Sequence, residues 1–138
     1  MAMRHSLLIA AGLIGLSTGH AMAQERILIT SKWRKVTVEL TDNAATRALV
    51  QRLPVTVQMR DHLRQEKTGL LPSPLPEAAR QRAFAVVTLG LWGSDHFVVY
   101  YRAGQVPQPG IVVLGKATGD VSIFDRPGSI TVQIERLR

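Results

Sequence analysis

The stretch over residues 84–102, FAVVTLGLWGSDHFVVYYR, decides the fold of this 138-residue chain. Both of its halves are rich in β-branched and aromatic residues, which suit a pleated and largely buried surface. Residues 90–95 between them are of the types that turns prefer. We therefore predict two buried β-strands folded back on each other, and we place the other segments relative to this central hairpin.

Upstream of the hairpin, the pattern predicts three more strands and one helix. Residues 26–31 and 35–40 form a first hairpin, with Trp33 near its tip in a packing role rather than a ligand role. Residues 41–43 offer N-caps for a helix that ends at Arg52, before Pro54. Alternation then resumes in the strand over residues 54–59.

Three segments between that strand and the hairpin have weaker patterns. We predict a charged loop over residues 60–66, followed by an extended path over residues 67–71. The prolines within residues 72–76 favour a stiff crossover at one barrel end, in preference to a ligand for an SH3-type domain. Residues 77–82 are polar and are predicted to form one helical turn.

Downstream of the hairpin, residues 111–118 and 130–137 are predicted strands. Residues 119–124 fit either a short strand or a helical turn. Eight strands in all, with turns at regular intervals, predict a mainly β sandwich or closed barrel. The predicted core includes Leu49, Val86, Val98, Tyr100, Val113 and Ile134.

The first 23 residues predict a cleavable export signal. Arg4 and His5 form a basic start, residues 7–16 are apolar, and Ala21 and Ala23 fit the small-x-small pattern of a cleavage site. The apolar run is shorter than the roughly 20 residues that span a bilayer. We therefore predict a periplasmic or secreted domain over residues 24–138, with no stable membrane anchor after signal cleavage.

Composition narrows the range of partners and cofactors. The net charge of +7 is mostly arginine and is spread along the chain, as on an ordinary soluble surface, so we predict no nucleic-acid partner. An anionic lipid or cell-wall polymer remains a weak electrostatic alternative. Without cysteine, no disulfide can form. The histidines beyond the signal, His62 and His96, occur in no HExxH motif and near no carboxylate cluster, so we predict no metal and no cofactor.

Familiar catalytic patterns are absent from the sequence. Asp95 and His96 are adjacent, and neighbours on a strand point to opposite faces, which argues against a serine triad. The glycines at 90 and 93 lead into another strand, so they do not form a phosphate loop that opens a helix. The sequence therefore carries no recognisable catalytic set.

The order of these segments resembles the bacterial cyclophilin-like domain family over roughly residues 26–135. The most specific pieces are Trp92-Gly93 before the Tyr100-Tyr101 strand, and the LGK sequence at residues 114–116. The resemblance implies a closed eight-stranded antiparallel cyclophilin-like β-barrel with one or two short helices at its ends.

Two departures from the resemblance bear on activity. Family members often carry Gly-Asp just before the strand that leads to the Trp-Gly turn, where this chain has Phe84-Ala85. Prolyl isomerases of the cyclophilin type have an Arg, a Phe-Met pair and a Gln-x-Gly-Asp stretch around a proline pocket, and this sequence lacks those motifs. Fold alone does not give function.

Two functions are compatible with these features. The first is a module that binds an extended peptide or a small molecule in a groove floored by the central hairpin; the alternative is a divergent peptidyl-prolyl cis-trans isomerase. Large side chains with polar tips at strand or loop ends are the candidate ligand contacts. They are Arg60, Trp92, His96, Tyr101 and Gln105. We predict no catalytic residues.

Overall fold

Residues 24–138 are described by a computed structural model, and the predicted signal peptide over residues 1–23 lies outside the described residues. Eight strands close into a barrel: β1 (Arg26–Thr30), β2 (Lys35–Leu40), β3 (Val55–His62), β4 (Glu66–Leu70), β7 (Thr88–Trp92), β8 (His96–Tyr100), β10 (Ile111–Ala117) and β11 (Ile130–Leu137). They pair in the order β2-β1-β11-β3-β4-β8-β7-β10, with β10 pairing back onto β2. All pairings are antiparallel, so the predicted closed eight-stranded barrel is confirmed.

Three short strands lie outside the barrel order. The strand β5 (Arg80–Gln81) extends the sheet beside β10, whereas β6 (Ala83–Phe84) and β9 (Gly104–Gln105) pair only with each other. The helical turn predicted for residues 77–82 is therefore wrong, because part of this segment pairs with β10 as a strand. The loop predicted for residues 60–66 is also wrong. Those residues complete β3, form a turn and begin β4.

The helix α1 (Ala44–Arg52) confirms the predicted helix. Asn43 is its N-cap: the Asn43 side chain accepts a hydrogen bond from the Thr46 amide, and the Thr46 hydroxyl accepts one from the Asn43 amide. Leu49 is buried against the barrel interior. A 3₁₀ turn, η1 (Ser122–Phe124), settles the open alternative for residues 119–124. No helix within residues 24–138 has the length and apolarity to cross a membrane.

Side chains of the barrel strands alternate between two apolar clusters. On β8, Phe97 and Val99 point into the barrel, where the main core lies. Val98 and Tyr100 point outward and form a second cluster with Phe84 and Ile111. The β6 and β9 pair covers this second cluster on one side, and the rest of the outer face stays open.

The proline segment packs at one end of the barrel, as predicted. Leu71 and Leu75 are buried in the main core, and the Arg52 guanidinium donates hydrogen bonds to the Ser73 hydroxyl and the Pro74 carbonyl. Trp33 also packs as expected: it is half-buried, and its ring centroid lies 6.3 Å from that of Phe124.

Four of the predicted core residues are buried and two depart from the prediction. Leu49, Val98, Tyr100 and Ile134 are at most 2% exposed. Val86 is 45% exposed, because residues 85–87 form a turn before β7 rather than part of that strand. Val113 is half-buried, since it lies on the outer face of β10 beside an irregularity in the pairing with β7.

Candidate functional site

The open part of the outer barrel face is a groove across β3, β4 and β8. Strand register aligns its side chains in rows, since Arg60 pairs with Thr68 and Thr68 with Val98. In the next row His62 pairs with Glu66 and Glu66 with Tyr100. Residues two apart on a strand point to the same face, so both rows face outward. We call the cavity above them the outer groove.

Two large side chains make part of the floor of the outer groove apolar, and the segment after β9 forms one wall. Val98 and Tyr100 are nearly fully buried in the floor, where the Tyr100 ring stacks on Phe84 with centroids 3.7 Å apart. Val106 and Pro107 line the wall. The cavity measures about 120 Å³. An apolar cavity of about 150 Å³ holds benzene, so this one suits a compact aliphatic group.

Four of the five predicted contact residues line the outer groove. They are Arg60, Trp92, His96 and Gln105. Tyr101 does not line it, because it follows Tyr100 and so points into the barrel. There Tyr101 is 5% exposed, and its hydroxyl donates a hydrogen bond to Asp61 at 2.5 Å. The residues that sequence reasoning chose for their size and polarity thus converge on one face, with one exception.

An aromatic edge borders the outer groove. Trp92 is 47% exposed, and its ring meets His96 edge-on at 5.6 Å between centroids. The His62 ring lies 6.4 Å from the Trp92 ring on another side. A large apolar ring held half in water by its neighbours is a favourable surface for ligand contact.

Arg60 supplies a positive charge to the same cavity. Its side chain is exposed, and within residues 24–138 its guanidinium makes no hydrogen bond or ion pair. Most other arginines near this end of the barrel are bonded: Arg64 and Arg102 both bind Asp125. A guanidinium offers several donors in a fixed plane that matches a carboxylate. Arg60 is therefore placed to bind an anion in the groove.

The sequence pattern did not indicate a histidine and a glutamate of the groove, His62 and Glu66, because their segment resembles a loop. A hydrogen bond of 2.5 Å joins His62 Nδ1 and Glu66 Oε1. Glu66 is only 7% exposed, and burial raises the pKa of its carboxyl despite the opposing effect of His62. The available signal in the sequence was the spacing of His62 and Glu66, which are four residues apart. If a tight turn joins the two strands, this spacing places both side chains on the same face of the sheet.

Two polar oxygens in the floor lack partners among the described residues. Glu66 Oε2 and Thr68 Oγ1 are both buried and make no hydrogen bond within residues 24–138. Such an unsatisfied buried group costs about 1–3 kcal/mol, so it is rare in a folded protein. Burial, with a contribution from the charge of Glu66, also raises the pKa of Tyr100 above its usual range. The floor thus contains acceptors that a donor could satisfy.

The turn between β3 and β4 forms the end of the outer groove and is strained. Leu63 and Arg64 have φ values of 56° and 52°, in the left-handed region that side chains other than glycine enter at a cost. Leu63 lines the cavity and is 76% exposed. Strain of this kind concentrates at functional sites.

A wider depression of about 680 Å³ continues from the outer groove across β3 and β11. The two cavities share Arg60, Thr68 and His96. Lys32 adds a second positive charge to its lining, in which no carboxylate takes part. A ligand longer than one residue could therefore extend from the groove into this depression.

The side chains that line the outer groove offer several kinds of ligand contact. No group of three or more metal-ligating side chains comes together within residues 24–138. Arg60 offers donors, Glu66 and Thr68 offer acceptors, and Trp92 and Val98 offer apolar surface. These features fit a small ligand that carries both charge and an aliphatic part.

Comparison with known proteins places the fold and the family. The hypothetical protein AF2241 from Archaeoglobus fulgidus, solved in solution, is similar to this chain at 13% sequence identity and a TM-score of 0.67. The match covers 83% of this chain and 95% of that one, and it shows a shared fold alone. No curated protein matches the chain. The model of the Cyclophilin-like family matches residues 29–135, and the protein therefore belongs to the Cyclophilin-like family.

Proposed function

We propose that residues 24–138 form an exported binding module that holds a small molecule or an extended peptide in the outer groove. One observation carries the proposal. Arg60, which makes no hydrogen bond or ion pair within residues 24–138, and the half-exposed Trp92 line one cavity whose floor includes the apolar side chain of Val98. Recognition sites typically combine apolar walls with a few convergent polar groups. Export is supported by the basic start, apolar run and Ala-x-Ala pattern of residues 1–23.

Thermal unfolding against a defined panel tests the binding role. The panel holds the twenty free amino acids and a set of capped tetrapeptides, because a ligand that binds only the folded state raises its melting temperature. We expect at least one compound to stabilise the protein, and this effect to be lost in Trp92→Ala and Arg60→Ala. Arg47→Ala is the matched control, since Arg47 is exposed on α1 and pairs with Asp42.

Two outcomes would overturn the binding role. One is a panel in which no compound stabilises the wild type. The other is stabilisation that survives both Trp92→Ala and Arg60→Ala, because the ligand would then lie outside the outer groove. Mass spectrometry of the protein from its native cell fraction tests export separately: we expect Gln24 at the N-terminus, and intact Met1 on cytoplasmic material would contradict it.

A divergent prolyl isomerase is the second candidate, and one observation favours it. Arg60 lies beside the apolar side chains Val98 and Trp92, as an arginine beside a proline pocket would. The absence from the sequence of the cyclophilin-type isomerase motifs argues against this candidate. Catalysis needs interactions that are stronger in the twisted transition state than in either planar isomer. A misplacement of about 1 Å can reduce the rate about 100-fold.

A protease-coupled assay on a proline tetrapeptide separates the two candidates. We expect activity to be absent or very weak in the wild type. Robust turnover that disappears in Arg60→Ala would replace the binding module with the isomerase.

A further inference from the structure

Two opposite charges in the outer groove face the same cavity without pairing. Arg60 and Glu66 are diagonal neighbours, because Arg60 pairs with Thr68 and His62 with Glu66. Diagonal neighbours on adjacent strands are about 7–8 Å apart, which two long side chains can bridge. Yet Arg60 and Glu66 form no ion pair in the described part of the chain. Both residues line the same cavity of about 120 Å³, which a third group can enter.

Glu66 is held in place on one side and unsatisfied on the other. His62 binds Oε1 at 2.5 Å, which fixes the carboxyl in the floor of the groove. Oε2 has no partner within residues 24–138, nor has the neighbouring Thr68 Oγ1. Both side chains are more than nine-tenths buried, and both line the cavity. The natural complement of such acceptors is an N–H donor that enters from the groove.

The remaining lining limits what such a ligand carries between its charged groups. Val98 and Tyr100 present apolar surface, and the cavity volume is about 120 Å³. This volume is below the roughly 150 Å³ that holds benzene, so the part of the ligand that enters the outer groove is a compact aliphatic group of a few carbons.

From this geometry we propose that the outer groove recognises a free α-amino acid with a compact aliphatic side chain. The carboxylate binds the Arg60 guanidinium, the ammonium donates to Glu66, and the side chain lies on the apolar floor. This inference rests on the proposed function and names the ligand class of the same site. A residue inside a peptide has neither terminal charge, so a peptide would lose one or both ionic contacts. Binding of a peptide in place of a free amino acid is therefore one of the outcomes that the test distinguishes.

Three matched probes separate the contributions of the two charges. L-valine carries both, 3-methylbutanoate is valine without its amino group, and 2-methylpropylamine is valine without its carboxylate. Dissociation constants come from the Trp92 indole signal in nitrogen-15 NMR spectra, because Trp92 borders the cavity. We expect L-valine to bind about ten-fold or more tightly than either fragment, as charge-assisted hydrogen bonds predict.

Two variants assign each contact to its residue. In Glu66→Gln we expect the preference for L-valine over 3-methylbutanoate to fall about ten-fold, and in Arg60→Gln the preference over 2-methylpropylamine to fall similarly. Glutamine at position 66 has the same shape, so the fold should be kept. Glu39→Gln and Arg47→Gln are controls on other faces of the protein and should leave all three dissociation constants unchanged.

The outcomes distinguish this inference from the proposed function. L-valine that binds no more tightly than its fragments, or an unchanged preference in both variants, would overturn the amino-acid inference. If a capped tetrapeptide stabilises the protein through Trp92 while L-valine does not bind, the inference falls and the binding module stands. If no compound in either experiment affects the protein, both fall.

Discussion

Two polar clusters lie on opposite faces of the sheet where β3, β4 and the end of β8 meet, and they differ in how completely their polar atoms are hydrogen-bonded. The inner cluster is Asp61, Lys67 and Tyr101; the outer cluster consists of their immediate sequence neighbours His62, Glu66 and Tyr100. The two clusters are separated because successive side chains on a strand point to opposite faces of the sheet. The comparison shows how one stretch of sheet can hold a structural network on one face and a binding surface on the other.

The inner cluster has a partner for each donor. Lys67 is fully buried, and its Nζ donates to Asp61 at 2.9 Å and to the carbonyls of Gly128, at 3.0 Å, and Arg126. An ammonium has three protons, so its capacity is filled. Asp61 also accepts from the Tyr101 hydroxyl. This network ties the loop before β11 to the barrel interior.

The outer cluster leaves one acceptor open. Only Glu66 Oε1 is bonded, to His62, while Oε2 has no partner within residues 24–138. We therefore expect substitutions in the inner cluster to change stability and substitutions in the outer cluster to change binding. The predictions below test that contrast, beginning with the largest effect.

Lys67→Met should be the most damaging single change. It removes a buried ammonium from Asp61 and leaves the carbonyls of Arg126 and Gly128 without that donor, so we expect the free energy of unfolding to fall by about 3–5 kcal/mol. Urea denaturation measures this value. Lys116→Met is the control, since Lys116 is exposed on β10, and it should change stability by less than about 0.5 kcal/mol. A loss below about 1 kcal/mol for Lys67→Met would contradict the structural role of the inner cluster.

Two adjacent and equally buried valines, Val98 and Val99, test the contrast between the two faces of the sheet. Val98 and Val99 are each 2% exposed, but Val98 lies in the groove floor and Val99 in the barrel core. Val99→Ala should cost roughly 2–3 kcal/mol, because two methyl groups are lost and an enclosed cavity remains. Val98→Ala should cost roughly 1–2 kcal/mol, since the space it leaves opens towards the groove. Equal losses in denaturation experiments would argue that the two faces do not differ.

Glu66→Gln should have little effect on stability. The substitution removes a desolvated charge whose second oxygen has no partner within residues 24–138, so we expect a change within about 1 kcal/mol near neutral pH. The measurement is the same urea denaturation, with Glu39→Gln as the control. A loss above about 2 kcal/mol would place Glu66 with the structural residues.

Opposite pKa shifts predict opposite dependences of stability on pH. Burial raises the pKa of Glu66 above 4.5, so its stabilising protonated form is retained below that pH and lost as pH rises through the folded-state pKa. Burial also acts to raise the pKa of Asp61, but hydrogen bonds from Tyr101 and Lys67 outweigh it and hold the pKa below 3.8. Its contribution is present above 3.8 and is lost as pH falls through the folded-state pKa.

Urea denaturation from about pH 3 to about pH 7 measures both dependences. The stability of wild type relative to Glu66→Gln should decline as pH rises above 4.5. Relative to Asp61→Asn, it should decline only as pH falls below 3.8. Slopes of the same sign for both comparisons would contradict the assignment of the two carboxyls to different environments.

Local pattern was sufficient for most of the fold. The period-two alternation of β2 and β11, the Asn43 cap and the turn residues of the central hairpin each act over a few residues, and each prediction is confirmed. The prediction that Val86 is buried was wrong, because the turn that contains Val86 is held by hydrogen bonds to residues far away in the sequence. The Val87 amide donates to the Tyr100 carbonyl, and the Ala117 amide donates to the Val87 carbonyl.

The outer groove was predictable only in part. Arg60 and Trp92 stand out by size and polarity, but the choice between Tyr100 and Tyr101 depends on which phase of β8 faces outward. Because both residues are tyrosines, residue type cannot show which of them faces the groove. The register of β8 with β4 determines it. Glu66 was missed because a run of charged residues resembles a loop. Its burial follows from the pairing of His62 with Glu66 across a strained turn.

The two tryptophans provide the most direct test of this contrast, because each reports on one cluster. Trp92 borders the outer groove, whereas the ring of Trp33 lies 5.5 Å from Lys67 Nζ in the inner cluster. Adding L-valine to nitrogen-15 labelled protein should move the Trp92 indole signal and leave the Trp33 signal in place. Equal movement of both signals, or movement of Trp33 alone, would contradict the separation of a binding face from a structural face.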